Sequence, residues 1–221
     1  MSAYLRLREL VATSRLAPGA PLIEADLSKR LGVSRTPVRA ALQRLQQEGF
    51  AAPSPVGQAL RPIVSPLTSD DLVEVFLMVG ALEAAAARGV SSLTRSVRGA
   101  LTGALALVHA GLRAAVDARP PDLASAHALQ SRFHRLLAGA AGPRLRGELD
   151  VLLPQAERYA RAYAPATWYA PGEILRDQEA IVAALRAGDG DRAEQRVAAC
   201  WRRLLDRYRG VMATVGEQGT W

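Results

Sequence analysis

The segment LGVSRTPVRAALQRLQQEGF, residues 31–50, decides the fold of the first third of the chain. Its apolar residues recur at helical spacing and define one buried face, made of Val38, Ala41, Leu42 and Leu45. The opposite face recurs every four residues and carries Arg35, Arg39 and Gln43. A helix that is buried on one side and rich in hydrogen-bond donors on the other fits the major groove of DNA.

The residues around this helix complete a small motif. Three helices and two strands are predicted, at 4–14, Glu24–Leu31, 34–49, Phe50–Ala52 and Ala59–Val64. Ser34 or Thr36 caps the third helix, and Pro37 fits its first turn. This order predicts a winged helix-turn-helix over residues 1–65.

The polar residues of the third helix are the candidate DNA contacts. An Arg side chain can donate two hydrogen bonds to O6 and N7 of guanine. The hydroxyls of Ser34 and Thr36 lie beside the free N–H groups of the helix start, where a phosphate binds well. An ordinary amphipathic helix with solvated arginines shows the same spacing, but the preceding helix and the predicted wing favour DNA binding.

The rest of the chain predicts an all-helical domain. Pro66 and Ser69 mark a linker at 66–69. Six Ala/Leu-rich stretches separated by Gly and Pro then predict helices, at about 69–90, 92–116, 121–140, 143–163, 171–187 and 190–214. They predict an antiparallel bundle over residues 70–215 with a tail at 216–221. The predicted fold class is mainly α, with an N-terminal winged helix-turn-helix.

The charge of the chain favours a polyanionic partner. The formal net charge is +7, and residues 1–65 hold nine basic residues against four acidic ones. The other residues hold nineteen basic and seventeen acidic groups, so the excess lies in the first third. One cysteine, Cys200, cannot form an internal disulfide. No apolar stretch is long enough to cross a bilayer and no signal-peptide pattern is seen, so we expect a cytoplasmic protein with no membrane partner.

The first domain resembles the GntR family of bacterial regulators. The matching segments are Pro18–Glu24, Leu27–Arg39 and Leu42–Gly49. The resemblance implies that four residues of the third helix contact DNA, namely Ser34, Arg35, Thr36 and Arg39. It places Gly57 at the wing tip, near the minor groove. Val56 and Ala25 depart from the family, which often has a basic residue at each position.

The second domain resembles the FadR-like (FCD) effector domain of the same family. The matching segments are Asp70–Val75, Leu82–Ala86, Phe133-His134, Ala180–Asp189 and Ala193-Glu194. The resemblance implies a helical bundle that binds a small-molecule effector and forms a homodimer.

Many FCD domains hold a divalent metal with one Asp and three His. The corresponding positions here are Gln130, His134, Gln178 and Cys200, so one ligand of four is unchanged. Neutral amide oxygens are weak ligands for zinc-like metals, and we expect no metal cofactor. A softer metal held by His134 and Cys200 is the alternative.

We therefore expect an effector pocket without a metal. It is lined by Gln130, His134, Gln178 and Cys200, by Val79 where the family often has an effector-binding Arg, and by Tyr159. Tyr159 belongs to a cluster with Tyr163, Trp168 and Tyr169, which either closes over an apolar ligand or seals the end of the bundle.

The functional prediction is a transcription regulator, a repressor that binds a palindromic operator as a homodimer and responds to a small molecule. The alternative is a DNA-binding dimer whose second domain only dimerises. An enzyme is not expected, because the sequence shows no acid pair, nucleophile–base set or phosphate loop.

Overall fold

The computed structural model describes residues 1–54, 61–167 and 171–220. The chain forms two compact units. The first comprises Met1–Asp71 together with the C-terminal segment that begins at Val215. The second comprises Leu72–Thr214.

The first unit is a three-helix motif with a small hairpin. Its elements are α1 (Ala3–Ala12), α2 (Glu24–Leu31), α3 (Arg35–Gln47), β1 (Ala51–Pro53) and β2 (Pro62–Val64). The strands pair antiparallel, with Ala51 opposite Val64 and Ala52 opposite Ile63. These elements confirm the predicted winged helix-turn-helix. The predicted wing tip, Gly57, lies outside the described residues.

A tight turn sets α3 after α2. Gly32 adopts a left-handed conformation with φ of 66°, which a residue without Cβ reaches at no steric cost. The N–H of Gly32 and that of Val33 donate back to carbonyl oxygens of α2. Ser34 occupies the cap position of α3, but its hydroxyl makes no capping hydrogen bond within the described helix. That exposed hydroxyl is therefore open to a hydrogen bond with a group outside the helix.

An apolar core holds α3 in place. The helix buries one face, formed by Val38, Ala41, Leu42 and Leu45. This face packs in one cluster with Leu7, Val11, Leu27 and Phe50. Full burial of a Leu or Val side chain contributes roughly 1.5–3 kcal/mol, so this face fixes which side of α3 remains in solvent.

The C-terminal segment is part of the first unit. Residues 216–221 were predicted as a tail, but Leu67 and Gln218 exchange two backbone hydrogen bonds of 2.8 and 3.1 Å. A Cβ on Gly219 would lie 2.5 Å from the carbonyl carbon of Pro18, so only glycine fits there. The sequence shows no signal for this contact because a single bridge has no hydrophobic periodicity.

The second unit is a helical bundle. Its described helices are α4 (Ser69–Gly89), α5 (Arg95–Asp117), α6 (Leu123–Ala138), α7 (Pro143–Thr167), α8 (Pro171–Ala187) and α9 (Gly190–Val215), with a 3-10 turn at Val90–Ser92. These helices confirm the predicted bundle, although α7 continues past its expected end at residue 163. The hydroxyl of Thr94 and the carboxylate of Asp122 cap the starts of α5 and α6, which explains where both begin.

Helix α5 has two apolar faces. One is buried and includes Leu105, Val108 and Leu112. The other is exposed, and on it Leu107 is 77% exposed. The expectation that no apolar stretch is long enough to cross a bilayer was wrong, because α5, alone among the described helices, is long and apolar enough, with a mean hydropathy of 1.4 over its most apolar window. A bundle helix that contacts a second surface passes the same test, so length and composition do not assign a membrane.

Candidate nucleic-acid interface and bundle cavity

The outer face of α3 presents polar side chains to solvent. The five residues expected at DNA within the described part of the chain are all exposed, namely Ser34, Arg35, Thr36, Arg39 and Gln43. The buried side of α3 orients them together, since their spacing follows the helical repeat. The arrangement can donate hydrogen bonds to base edges and phosphates at once.

Arg39 is engaged by a carboxylate of the neighbouring helix. Its Nε lies 2.9 Å from Oε1 of Glu24, and its terminal nitrogen lies 2.9 Å from Oε2. The hydrogen bond from Arg39 lowers the pKa of Glu24, which keeps the carboxylate ionised. The resemblance placed Arg39 at DNA without this partner. The Arg39 guanidinium is therefore held by Glu24 through two hydrogen bonds.

A second polar contact fixes α3 from the other end. The hydroxyl of Tyr4 donates to Oε2 of Glu48 at 2.6 Å, and Nε of Arg44 donates to Oε1 at 2.9 Å. The Arg44 guanidinium lies 3.8 Å from the centre of the Tyr4 ring, a cation–π contact. Burial and the hydrogen bond to Glu48 raise the pKa of Tyr4, so its hydroxyl stays a donor. Sequence reasoning missed this clamp between α1 and α3.

A cavity opens between helices of the second unit. Its enclosed volume is about 50 Å³, and about 600 Å³ when the space out to its mouth is included. Most of the lining is apolar and includes Phe76, Leu153, Ile174, Trp201 and Tyr208. The polar lining includes His127, Gln130, His134 and Glu157. Apolar walls with a few polar groups are typical of small-molecule sites.

A buried network of hydrogen-bonded side chains adjoins this cavity. The Glu83 carboxylate is fully buried and accepts a hydrogen bond from the indole N–H of Trp201. Nδ1 of His134 lies 2.8 Å from Oε2 of Glu83, and its Nε2 lies 3.0 Å from the amide nitrogen of Gln130. An amide N–H can only donate, so Nε2 accepts and the ring proton is on Nδ1.

The network continues through two more helices, α8 and α5. The amide nitrogen of Gln178 donates to Oε1 of Gln130 at 2.7 Å, and its own Oε1 lies 3.3 Å from Nδ1 of His109. Arg113 reaches Nε2 of His109 at 3.3 Å. His109, to which no sequence motif pointed, is thus part of the network. Each donor meets an acceptor, so the polar groups at the family's metal position satisfy one another.

The residues at that position do not fit a resident metal. The ring nitrogen of His134 that would face an ion already meets a donor, the Gln130 amide. Cys200 is buried, and burial raises the pKa of its thiol, so it stays protonated. Within the described ranges, no group of three His, Cys, Asp or Glu residues is arranged to hold an ion.

The predicted pocket residues fall into two groups. Gln130 and His134 line the cavity, whereas Gln178 lies behind Gln130. Val79, Tyr159 and Cys200 are buried in the packing of the bundle rather than in the lining. Helical spacing tells which residues point inward, but not which of them border an opening. Trp168 and Tyr169 of the predicted aromatic cluster lie outside the described residues.

Sequence reasoning missed three polar residues of the bundle: Glu83, His127 and Glu157. Nε2 of His127 and Oε1 of Glu157 are buried without a hydrogen-bond partner in the described part of the chain. Burial, with the charges of Arg161 and Arg135, lowers the pKa of His127 to about 4. One signal was present, because α6 carries a polar stripe at helical spacing, formed by His127, Gln130, Ser131 and His134.

Known proteins share both units. Residues 1–55 match the model for bacterial regulatory proteins of the gntR family, and residues 74–203 match the FCD domain. The chain is 30% identical over 140 residues to an uncharacterized HTH-type transcriptional regulator of Agrobacterium vitis, covering 63% of this chain and 79% of that protein.

Two solved structures are similar over nearly the whole chain. A GntR regulator from Rhodococcus sp. RHA1 has a TM-score of 0.70 at 22% identity, covering 94% of this chain and 95% of that one. E. coli McbR/YncC has a TM-score of 0.69 at 22% identity, covering 94% and 97%. At this identity the likeness shows the fold alone.

The turn, the donor-rich helix and the separate bundle define a DNA-binding transcription regulator, not an enzyme. The chain belongs to the GntR family, in the subgroup with an FCD domain. Proteins of this family bind DNA and typically form dimers.

Proposed function

We propose that the chain is a cytoplasmic repressor that binds a palindromic operator as a homodimer and releases it when an organic molecule enters the bundle cavity. The observation that carries the DNA half is the exposed polar face of α3, backed by a buried apolar face. A dimer that occupies an operator blocks transcription without any further contact, which is why we propose repression.

The DNA contacts divide by chemistry. Arg35 lies in the first turn of α3, the part of a recognition helix that reaches base edges, and can pair with guanine. Ser34 and Thr36 hold exposed hydroxyls at the same helix start and suit a phosphate. Gln43 lies two turns further along the same face and can read an adenine.

The exposed face of α5 suits a second copy of the chain. Leu107 stands on it among Ala100, Gly103 and Ala110, small residues that permit close helix approach. An apolar patch of this kind on a family that typically dimerises is best covered by its own symmetric equivalent. A dimer carries two recognition helices, one for each half-site of an inverted repeat.

The effector role is supported by the cavity and by its two unpaired polar atoms, on His127 and Glu157. The alternative is a bundle that only dimerises. It is favoured by the small volume of the cavity and by the network from Glu83 to His109, whose side chains hydrogen-bond to one another. A ligand that changes DNA affinity would decide between the two.

The DNA half is tested by selection from a random 30-base-pair duplex library with the full chain. Wild-type protein is expected to enrich an inverted repeat, and Arg35→Ala to lose preference at one base pair in each half-site. Arg209→Ala, an exposed arginine of the second unit, serves as the control and should select the same sequence. An unchanged sequence preference in Arg35→Ala would contradict the assignment of α3.

A further inference from the structure

The walls of the cavity select the body of a ligand. Phe76, Trp201 and Tyr208 form an aromatic group, with the Phe76 ring 5.4 Å from Trp201 and 5.3 Å from Tyr208. Both contacts are edge-on, the arrangement in which a further ring can join the cluster. The enclosed space of about 50 Å³ is too small for a large molecule. A ligand body of one small ring that extends towards the mouth fits these walls.

Two residues of the lining each carry a buried polar atom that has no partner among the described residues. Nε2 of His127 and Oε1 of Glu157 are buried, and neither is hydrogen-bonded to any described residue. A buried polar atom without a partner destabilises the fold, so a ligand that pairs with it recovers that free energy. The other carboxylate oxygen of Glu157 is already bound by Arg135, which holds the group in place.

The charges around these atoms restrict the polar group of the ligand. A carboxylate ligand would place its charge beside the Glu157 carboxylate, and Arg207, which also lines the cavity, is already paired with Glu173. A cationic ligand would meet Arg135 and Arg161, whose charges, after burial, help to lower the pKa of His127. A neutral hydroxyl avoids both penalties, because it donates to a carboxylate and also pairs with a neutral imidazole nitrogen.

We infer that the cavity takes a neutral, metal-independent ligand with one small apolar ring and a hydroxyl group, and that the hydroxyl pairs with Oε1 of Glu157 and Nε2 of His127. The inference rests on the proposed role of the bundle as a ligand-binding domain. It moves the polar anchor away from Gln130, His134 and Gln178, whose hydrogen bonds already satisfy one another.

The test uses three probes with the same ring and a different polar group, namely 2-phenylethanol, phenylacetate and 2-phenylethylamine. Each is titrated into the full-length protein by calorimetry, with and without EDTA. We expect 2-phenylethanol to bind at least tenfold more tightly than the other two and EDTA to change its affinity less than twofold. Preference for phenylacetate, loss of binding in EDTA, or no binding of any probe at 5 mM would overturn the inference.

Variants locate the anchor. Glu157→Gln and His127→Leu should each weaken 2-phenylethanol binding at least fivefold, whereas Glu148→Gln, an exposed carboxylate on the same helix as Glu157, should leave it unchanged. His127→Leu removes an unpaired buried nitrogen, so its melting temperature should not fall, which separates lost binding from lost folding. Unchanged affinity in both cavity variants would overturn the assigned anchor.

DNA affinity is measured in the same samples. If 2-phenylethanol binds as expected but DNA affinity does not change, the inferred ligand chemistry stands and the proposed effector control fails. If phenylacetate binds instead and releases DNA, effector control stands and the inferred ligand chemistry fails.

Discussion

Nδ1 of His134 lies 2.8 Å from Oε2 of Glu83, and this pair joins α6 to α4 in the interior of the bundle. Glu83 is fully buried and also accepts from the indole of Trp201 on α9, so a single carboxylate connects three helices. In metal sites, a carboxylate of this kind often orients a ligating imidazole from behind. Here the same arrangement directs the ring of His134 at the side-chain amide of Gln130.

Loss of the Glu83 carboxylate should weaken the bundle. Glu83→Leu leaves the N–H groups of His134 and Trp201 without their acceptor, which costs about 3 kcal/mol of unfolding free energy. Glu83→Gln keeps one acceptor oxygen and should cost about half as much. Urea unfolding of the full chain measures both. The control is Glu74→Gln, an exposed carboxylate on the same helix, with an expected change within about 0.5 kcal/mol. A Glu83→Leu protein as stable as wild type would show that the network contributes nothing.

Release of Arg39 from Glu24 should change how the protein binds DNA. Glu24→Gln removes a negative charge from the interface and frees the guanidinium to reach any phosphate. Affinity for random duplex should rise a few-fold, and the slope of log K against log salt should steepen by about one. Preference for the selected operator should fall, because Arg39 is no longer held in one orientation. Fluorescence anisotropy over a salt series measures all three quantities.

Asp26→Asn is the matched control for this experiment, since Asp26 lies on the same helix and no ion pair joins it to Arg39, whose guanidinium binds Glu24. It removes the same charge without releasing the arginine, so operator preference should be kept. Equal loss of preference in both variants would show that charge, and not the orientation of Arg39, controls specificity.

The sequence predicted the elements more fully than the site. The helices of the first unit could be predicted because Val38, Leu42 and Leu45 repeat at helical spacing and Gly32 ends the preceding helix. The bridge between Leu67 and Gln218 was not readable, since it joins residues far apart in the chain through backbone atoms alone.

The bundle shows the same limit at the level of side chains. The replacement of metal ligands was visible in Gln130 and Gln178. The role of Glu83 was not visible, because a lone acidic residue inside an Ala-rich helix has no spacing signal. That Nε2 of His127 and Oε1 of Glu157 have no partner among the described residues depends on where α6 and α7 meet, which only the packed structure defines.

The exposed face of α5 predicts which variant becomes a monomer. Leu107→Asp places a charge at the centre of the proposed interface between copies, and burying an unpaired charge costs several kcal/mol. Light scattering coupled to gel filtration should show a dimer for wild type and a monomer for Leu107→Asp. The control is Leu77 on α4, which is also an exposed leucine, and Leu77→Asp should remain a dimer. A monomer from Leu77→Asp and a dimer from Leu107→Asp would move the interface to α4.

The buried histidine of the cavity predicts a pH dependence of stability. The pKa of His127 is about 4 in the folded chain, against 6.5 for the free side chain, because burial disfavours the charged ring. Above pH 6.5 both states are neutral and the group has no effect. Between pH 6.5 and 4 the unfolded chain binds a proton that the folded chain does not. The free energy of unfolding therefore decreases by up to roughly 1.4 kcal/mol for each unit by which the pH is lowered. Partial exposure of the side chain reduces that slope.

The measurement is urea unfolding at pH 7, 6, 5 and 4.5 for wild type and His127→Asn. The wild-type protein should lose more stability than the variant over this window, and parallel losses would show that the ring is protonated in the folded bundle.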